Sequence, residues 1–170
     1  ELNKIALKIL SDGKGILAAD ESTGTMTKRL ESVNVESNKK NRLLFRETLF
    51  SSSSMETCIG GVILYDETIR QNTSSGITIP ELIASKGSVV GIKVDIGAKN
   101  LAGSNKEKIT EGLDGLRETL RDYYNLGARF TKWRGVYLIS DIYPSNLSIT
   151  ANAHSLARYA SLVQEAGMVP

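Results

Sequence analysis

Short apolar runs recur along this chain, each followed by a stretch with helical spacing, and no other feature limits the fold so much. Gly15–Asp20 (GILAAD), Cys58–Tyr65 (CIGGVILY), Val89–Asp95 (VVGIKVD) and a run within Ala128–Leu138 read as strands. Cys58 heads the second run and is expected in the core. Helical spacing of apolar residues covers Leu2–Leu10, Thr23–Val33, Asn38–Ser51, Ile79–Lys86, Gly112–Leu126 and Asn146–Ala166. Pro80 falls early in its helix, where a missing N–H costs nothing. The Ser51–Ser54 run reads as a flexible loop, and Met168–Pro170 as the opening of a fifth strand. Strands this apolar, alternating with helices, are buried on both faces and therefore parallel. An open doubly wound sheet and a (β/α)8 barrel both fit. No G-x-G-x-x-G follows the first run, which weighs against a dinucleotide fold. A barrel normally needs about 250 residues, more than the 170 present, and the runs make four of its eight βα units and the start of a fifth strand, about half a barrel, as a single domain over 1–170.

Composition excludes several functions. Hydrophobic residues make up 41% and charged residues 24%, as in ordinary globular domains, and a net charge of +2 gives no electrostatic case for nucleic acid. Cys58 is the only cysteine and His154 the only histidine. That excludes an intrachain disulfide and a cysteine-rich zinc site, leaves almost no material for multi-histidine metal sites or Ser-His or Cys-His catalysis, and favours a reducing, cytoplasmic setting. His154 falls mid-helix and reads as a surface or packing residue. No apolar run approaches the ~20 residues of a membrane span.

The informative charges stand at strand ends, where the loops of an α/β fold converge on ligands. Asp20 closes the first run, Lys93 and Asp95 the third, and Lys132 and Arg134 lie near the end of the fourth. Side chains two apart on a strand share a face, so Lys93 goes with Asp95 and Lys132 with Arg134. Lysines brought together there could serve as amine nucleophile, proton carrier or anion anchor. Structural ion pairing is the competing reading. Ser22-Thr23-Gly24-Thr25 offers hydroxyls and free amides to a phosphate at a helix start, with Lys28 and Arg29 one turn on adding slight support, but taken alone it reads more readily as a plain helix cap.

Six runs carry a family resemblance: Gly13–Gly24 (GKGILAADESTG), Cys58–Leu64 (CIGGVIL), Gly91–Asp95 (GIKVD), Gly112–Leu116 (GLDGL), Lys132–Arg134 (KWR) and Leu156–Ala160 (LARYA). In this order and spacing the chain resembles class I fructose-bisphosphate aldolase, over its N-terminal half and cut at both ends. The resemblance implies a (β/α)8 TIM barrel, a glycolytic lyase and usually a homotetramer, with no metal and no cofactor. Such enzymes cleave fructose 1,6-bisphosphate to dihydroxyacetone phosphate and glyceraldehyde 3-phosphate through a lysine Schiff base. By motif, Asp20 matches the aspartate that orients substrate hydroxyls and Lys132 the lysine beside the reacting carbons. Lys93 matches a lysine near Asp20 and the second phosphate. Ser22, Thr25 and Arg29 match phosphate contacts, Arg42 a substrate contact, and Arg134 a neighbour of the active-site lysine. Thr25 replaces a common serine and keeps the hydroxyl. The Glu-Pro-Glu run that supplies the acid/base glutamate, and the Schiff-base lysine, are expected beyond Pro170. The alternative function is a catalytically empty fragment or interaction module, since aldolases of this family also bind cytoskeletal and adaptor partners; another lysine-using barrel enzyme is a third.

Overall fold

The computed structural model describes residues Glu1–Pro170. Helix α1 (Leu2–Ile9) leads through a single tight turn into β1 (Gly15–Ala18), followed by α2 (Thr23–Glu31), α3 (Lys39–Phe50) and the one-turn α4 (Met55–Cys58). Strand β2 (Ile59–Leu64) precedes α5 (Asp66–Ile69) and α6 (Ile79–Ser85), and β3 (Val89–Lys93) precedes a hairpin of β4 (Ala98–Asn100) and β5 (Lys108–Thr110). The chain continues through α7 (Leu116–Asn125), β6 (Phe130–Lys132) and α8 (Asn146–Glu165). No helix is long and apolar enough to cross a membrane.

Local chemistry sets the helix starts. Ser22, Asn38 and Ser145 each accept an amide hydrogen bond from the first turn of their helices, and Thr78 with Glu81 forms a reciprocal capping box ahead of Pro80. Cys58 departs from its expected place. It ends α4 instead of opening the strand, and it is exposed. A one-turn helix set by Met55, whose side chain is buried, carries the chain out of the serine loop and leaves the thiol outside the core.

The main sheet is parallel, in the order β1-β2-β3-β6. Val169 extends it: Thr131 N donates to the Val169 carbonyl at 2.8 Å and Val169 N to the Arg129 carbonyl at 3.0 Å. Each parallel strand lies beside its predecessor in the chain. A doubly wound sheet reverses its order at a switch point; this one advances without reversal, as a barrel does.

Strand parity divides the core. Val62, Leu64, Val90, Ile92 and Val94 pack against the helices in a cluster of 18 buried residues. On the opposite face Ile63, Val89 and Phe130 gather with Ile9 of α1. Two glycines make that face possible. A Cβ on Gly60 would stand 1.8 Å from the Ile9 carbonyl oxygen, and one on Gly91 would lie 2.3 Å from the Phe130 ring. The second face also carries Lys93 and Lys132 beyond Gly91 and Phe130, by the period of two along each strand.

Candidate active site

Three strand ends supply the site, and the register aligns them. Gly91 pairs with Phe130, Ile92 with Thr131 and Lys93 with Lys132, so the two lysines end their strands side by side. Lys132 Nζ donates to Asp20 Oδ2 at 2.5 Å, joining residues 112 positions apart. Asp20 is buried and its partner lysine half-buried. Lys93 Nζ donates to Asp95 Oδ1 at 2.6 Å and to the Asp95 carbonyl at 2.5 Å.

Asp95 ties the strand ends together. Its side chain is only 2% exposed. Oδ1 also accepts from Gly97 N at 3.0 Å, and Oδ2 from Arg134 N at 3.4 Å. A buried carboxylate needs such partners to remain ionised without a large desolvation cost. The expected pairing of Lys93 with Asp95 is therefore present. Asp20, which the resemblance sets near Lys93, takes its ammonium from Lys132.

An open cavity of about 1100 Å³ lies beside the Lys93–Asp95 pair, and Ser22, Lys93 and Arg134 line it. Sequence reasoning did not single out Lys108 and Arg158, which bring two further cations to its wall. Asp66, Glu111, Asp114 and Asp95 balance them, so the wall carries both signs. Arg158 lies within the Leu156–Ala160 run, but only the packing of α8 brings it to the cavity. Lys108 is placed by the β4–β5 hairpin, whose three-residue strands give too little alternation to detect. Buried Glu107 fixes the hairpin against α8, accepting from Ser145 N at 2.8 Å and Ser145 Oγ at 2.5 Å. Burial pushes the Glu107 carboxyl up, and these bonds outweigh it and leave it below the ordinary carboxylate range.

Of the other residues singled out by motif, Asp20, Thr25, Arg29, Arg42 and Lys132 fall outside that lining. Ser22 and Thr25 turn their hydroxyls toward each other at 3.2 Å at the cap of α2. Arg29 is 55% exposed and paired with Glu21. Arg42 is buried, donating to both Glu67 oxygens at 2.8 and 2.7 Å and to the Ser37 carbonyl at 3.0 Å. The hydrogen bonds from Arg42 hold the Glu67 carboxyl below its ordinary value. Arg42 is not among the residues that line the cavity.

The model of the glycolytic class I fructose-bisphosphate aldolase family matches residues 1–170. The chain belongs to that family. It is 51% identical over 170 residues to the probable class 1 fructose-bisphosphate aldolase of Xylella fastidiosa, covering 100% of this chain and 51% of that protein. It is 53% identical to fructose-bisphosphate aldolase C-A of Danio rerio, covering 100% of this chain and 47% of that one. The fold superposes with a TM-score of 0.96 and 43% identity on the fructose-bisphosphate aldolase of Plasmodium falciparum, solved with TRAP and a small-molecule inhibitor. That match covers 99% of this chain and 49% of the aldolase chain. The chain thus spans about half the length of the relatives it matches, and its sheet is a partial aldolase barrel.

Proposed function

We propose that residues 1–170 form the N-terminal half of a single (β/α)8 barrel that cleaves fructose 1,6-bisphosphate reversibly, without metal, through a Schiff base. The observation that carries this reading is the Asp20–Lys132 contact, a buried carboxylate and an ammonium meeting at 2.5 Å across the ends of β1 and β6. In aldol cleavage the C4 hydroxyl loses its proton as the C3–C4 bond breaks, and the electron pair moves toward the iminium at C2. Asp20 is suited to orient the hydroxyls and receive hydrogen bonds from them; Lys132 places a positive charge where oxygen becomes anionic. A pre-positioned charge in a partly desolvated site costs no reorganisation when the bond breaks. Lys93, held by Asp95, and Arg134 face the cavity as cations for a phosphate, with Ser22 and Thr25 at the start of the adjoining helix α2 and Arg29 in its last turn. Arg42 acts from behind, through its pair with Glu67. The imine-forming lysine and the acid/base glutamate belong to the complementary half of the barrel.

The reading includes a homotetramer and a cytoplasmic sugar phosphate as substrate. A second capacity, binding a further partner, is supported by the complex of the Plasmodium relative with TRAP; a partner of the cytoskeletal or adaptor kind is part of the same proposal.

The test is aldol cleavage by the whole enzyme in excess EDTA, with borohydride trapping of the dihydroxyacetone phosphate adduct. Cleavage and trapping should both persist. Loss of activity restored by zinc, or no trapped adduct, would refute the assignment.

A further inference from the structure

We propose that Arg46 is a positioning residue for this reaction, holding the two peptide carbonyls that flank Asp20. The inference rests on the aldolase reading given above and names a group that the reading does not use.

Beyond Ala19 N, which donates to the Ile63 carbonyl at 3.0 Å, the ladder between β1 and β2 ends. No backbone hydrogen bond reaches Asp20 or Glu21 before Ser22 caps α2. A catalytic carboxylate on such a segment would wander unless something else held the chain. Arg46 of α3 does so. Its Nε donates to the Ala19 carbonyl at 3.2 Å and its Nη2 to the Glu21 carbonyl at 2.6 Å, one on each side of Asp20. Its Nη1 donates to Thr68 Oγ1 at 2.8 Å, which anchors the other end of the guanidinium in α5.

The side chain is only 1% exposed, so its charge is desolvated. Burial pushes the guanidinium below its ordinary value, and the nearby Glu21 and Glu67 carboxylates oppose that shift. Glu21 Oε2 is buried without a hydrogen-bond partner and lies 3.7 Å from Arg46 Nη2, a countercharge rather than a direct bond. A planar fork of donors spans two carbonyls and a hydroxyl at once; a lysine ammonium at this depth cannot. Any apolar residue of similar size would fill the space and leave both carbonyls without partners. What the arginine supplies here is the backbone geometry on either side of Asp20, and through Asp20 the placement of Lys132.

The test is a cycle of Arg46→Lys and Asp20→Ala in the whole enzyme, with kcat and KM for fructose 1,6-bisphosphate and thermal unfolding of each variant. A misplacement of about 1 Å costs on the order of 10²-fold, so Arg46→Lys should lower kcat by roughly that factor while KM changes only a few-fold. In the Asp20→Ala background the same substitution should lower kcat by less than about 3-fold, because residues acting as one unit are not additive. Folded Arg46→Lys enzyme with wild-type kcat overturns the inference. So does an equal loss in both backgrounds, the mark of a purely structural role. Should Arg46→Lys fail to fold, Thr68→Val removes the support of Nη1 alone and should reduce kcat in the Asp20 enzyme and not in Asp20→Ala; an unchanged kcat there overturns it equally. A wild-type enzyme that cleaves no substrate would instead defeat the aldolase reading itself.

Discussion

Replacing Gly91 by alanine tests how the two lysines are aligned. The new methyl carbon would sit 2.3 Å from Phe130 Cζ and 2.5 Å from both Cε atoms. Carbon pairs rest at about 3.5–4.0 Å, so the ring must retreat by roughly 1 Å or more. It has little room: Phe130 is 5% exposed and packs with Ile9, Ile63 and Val89. Overpacking of this kind costs about 1–3 kcal/mol. The damage should not stay local, because Phe130 pairs directly with Gly91 and, two residues on, Lys132 pairs with Lys93. A shift of ~1 Å carried along β6 would pull Lys132 from Asp20 and lower kcat by about 10²-fold. The assay is urea denaturation of the whole enzyme beside steady-state kinetics. The midpoint should fall with an unchanged m value, and kcat should fall more than KM rises. Trimming the ring with Phe130→Leu in the same molecule should recover part of both losses. A Gly91→Ala enzyme within about 0.5 kcal/mol of wild type, with normal kcat, would show that the ring yields freely and that the register argument is wrong.

Lys132→Ala should depress kcat by about 10²–10³-fold with a much smaller effect on substrate binding, and Lys132→Arg should not restore it, since a planar guanidinium cannot fill the ammonium's place; near-normal turnover would reduce Lys132 to a structural partner of Asp20. Tyr159 is buried, with its hydroxyl 2.6 Å from Thr131 Oγ1. Burial pushes its phenol up to about 12, partly opposed by that hydrogen bond and aided by the Asp95 charge. An unfolded tyrosine ionises near 10, so this contribution is intact below about pH 10. It is lost as pH rises to about 12, up to roughly 2–3 kcal/mol. Tyr159→Phe should flatten that part of an alkaline denaturation profile, and an unaltered profile would contradict it. A polypeptide of residues 1–170 alone should self-associate, because the outer edge of β1 has no partner and Ile16 on it is 46% exposed; a monodisperse, cooperatively unfolding monomer in ultracentrifugation would refute this.

Much of the molecule could be read before its structure was known. Ile59–Leu64 and Val89–Lys93 are legible as strands because a strand buried on both faces must be continuously apolar, and that demand is local. Ser22 and Asn38 mark helix starts for a similarly local reason, a side-chain oxygen meeting an amide three residues on. The period of two alone sets Lys93 and Asp95 on one side. The same logic fails for α4 and for the β4–β5 hairpin, whose three- and four-residue lengths fall below any readable period.

What the sequence determined by itself is which residues stand at the strand ends, since periodicity and capping act over a few residues. Which of them meet was decided by the tertiary structure. Asp20 could have paired with Lys93 and instead holds Lys132. Arg42 turned to Glu67, 25 residues away, and Arg46 turned to the carbonyls beside Asp20. The partner of a buried charge depends on the order and register of strands brought together from distant parts of the chain, and a hydrogen bond of 2.5 Å depends on that register to a fraction of a residue.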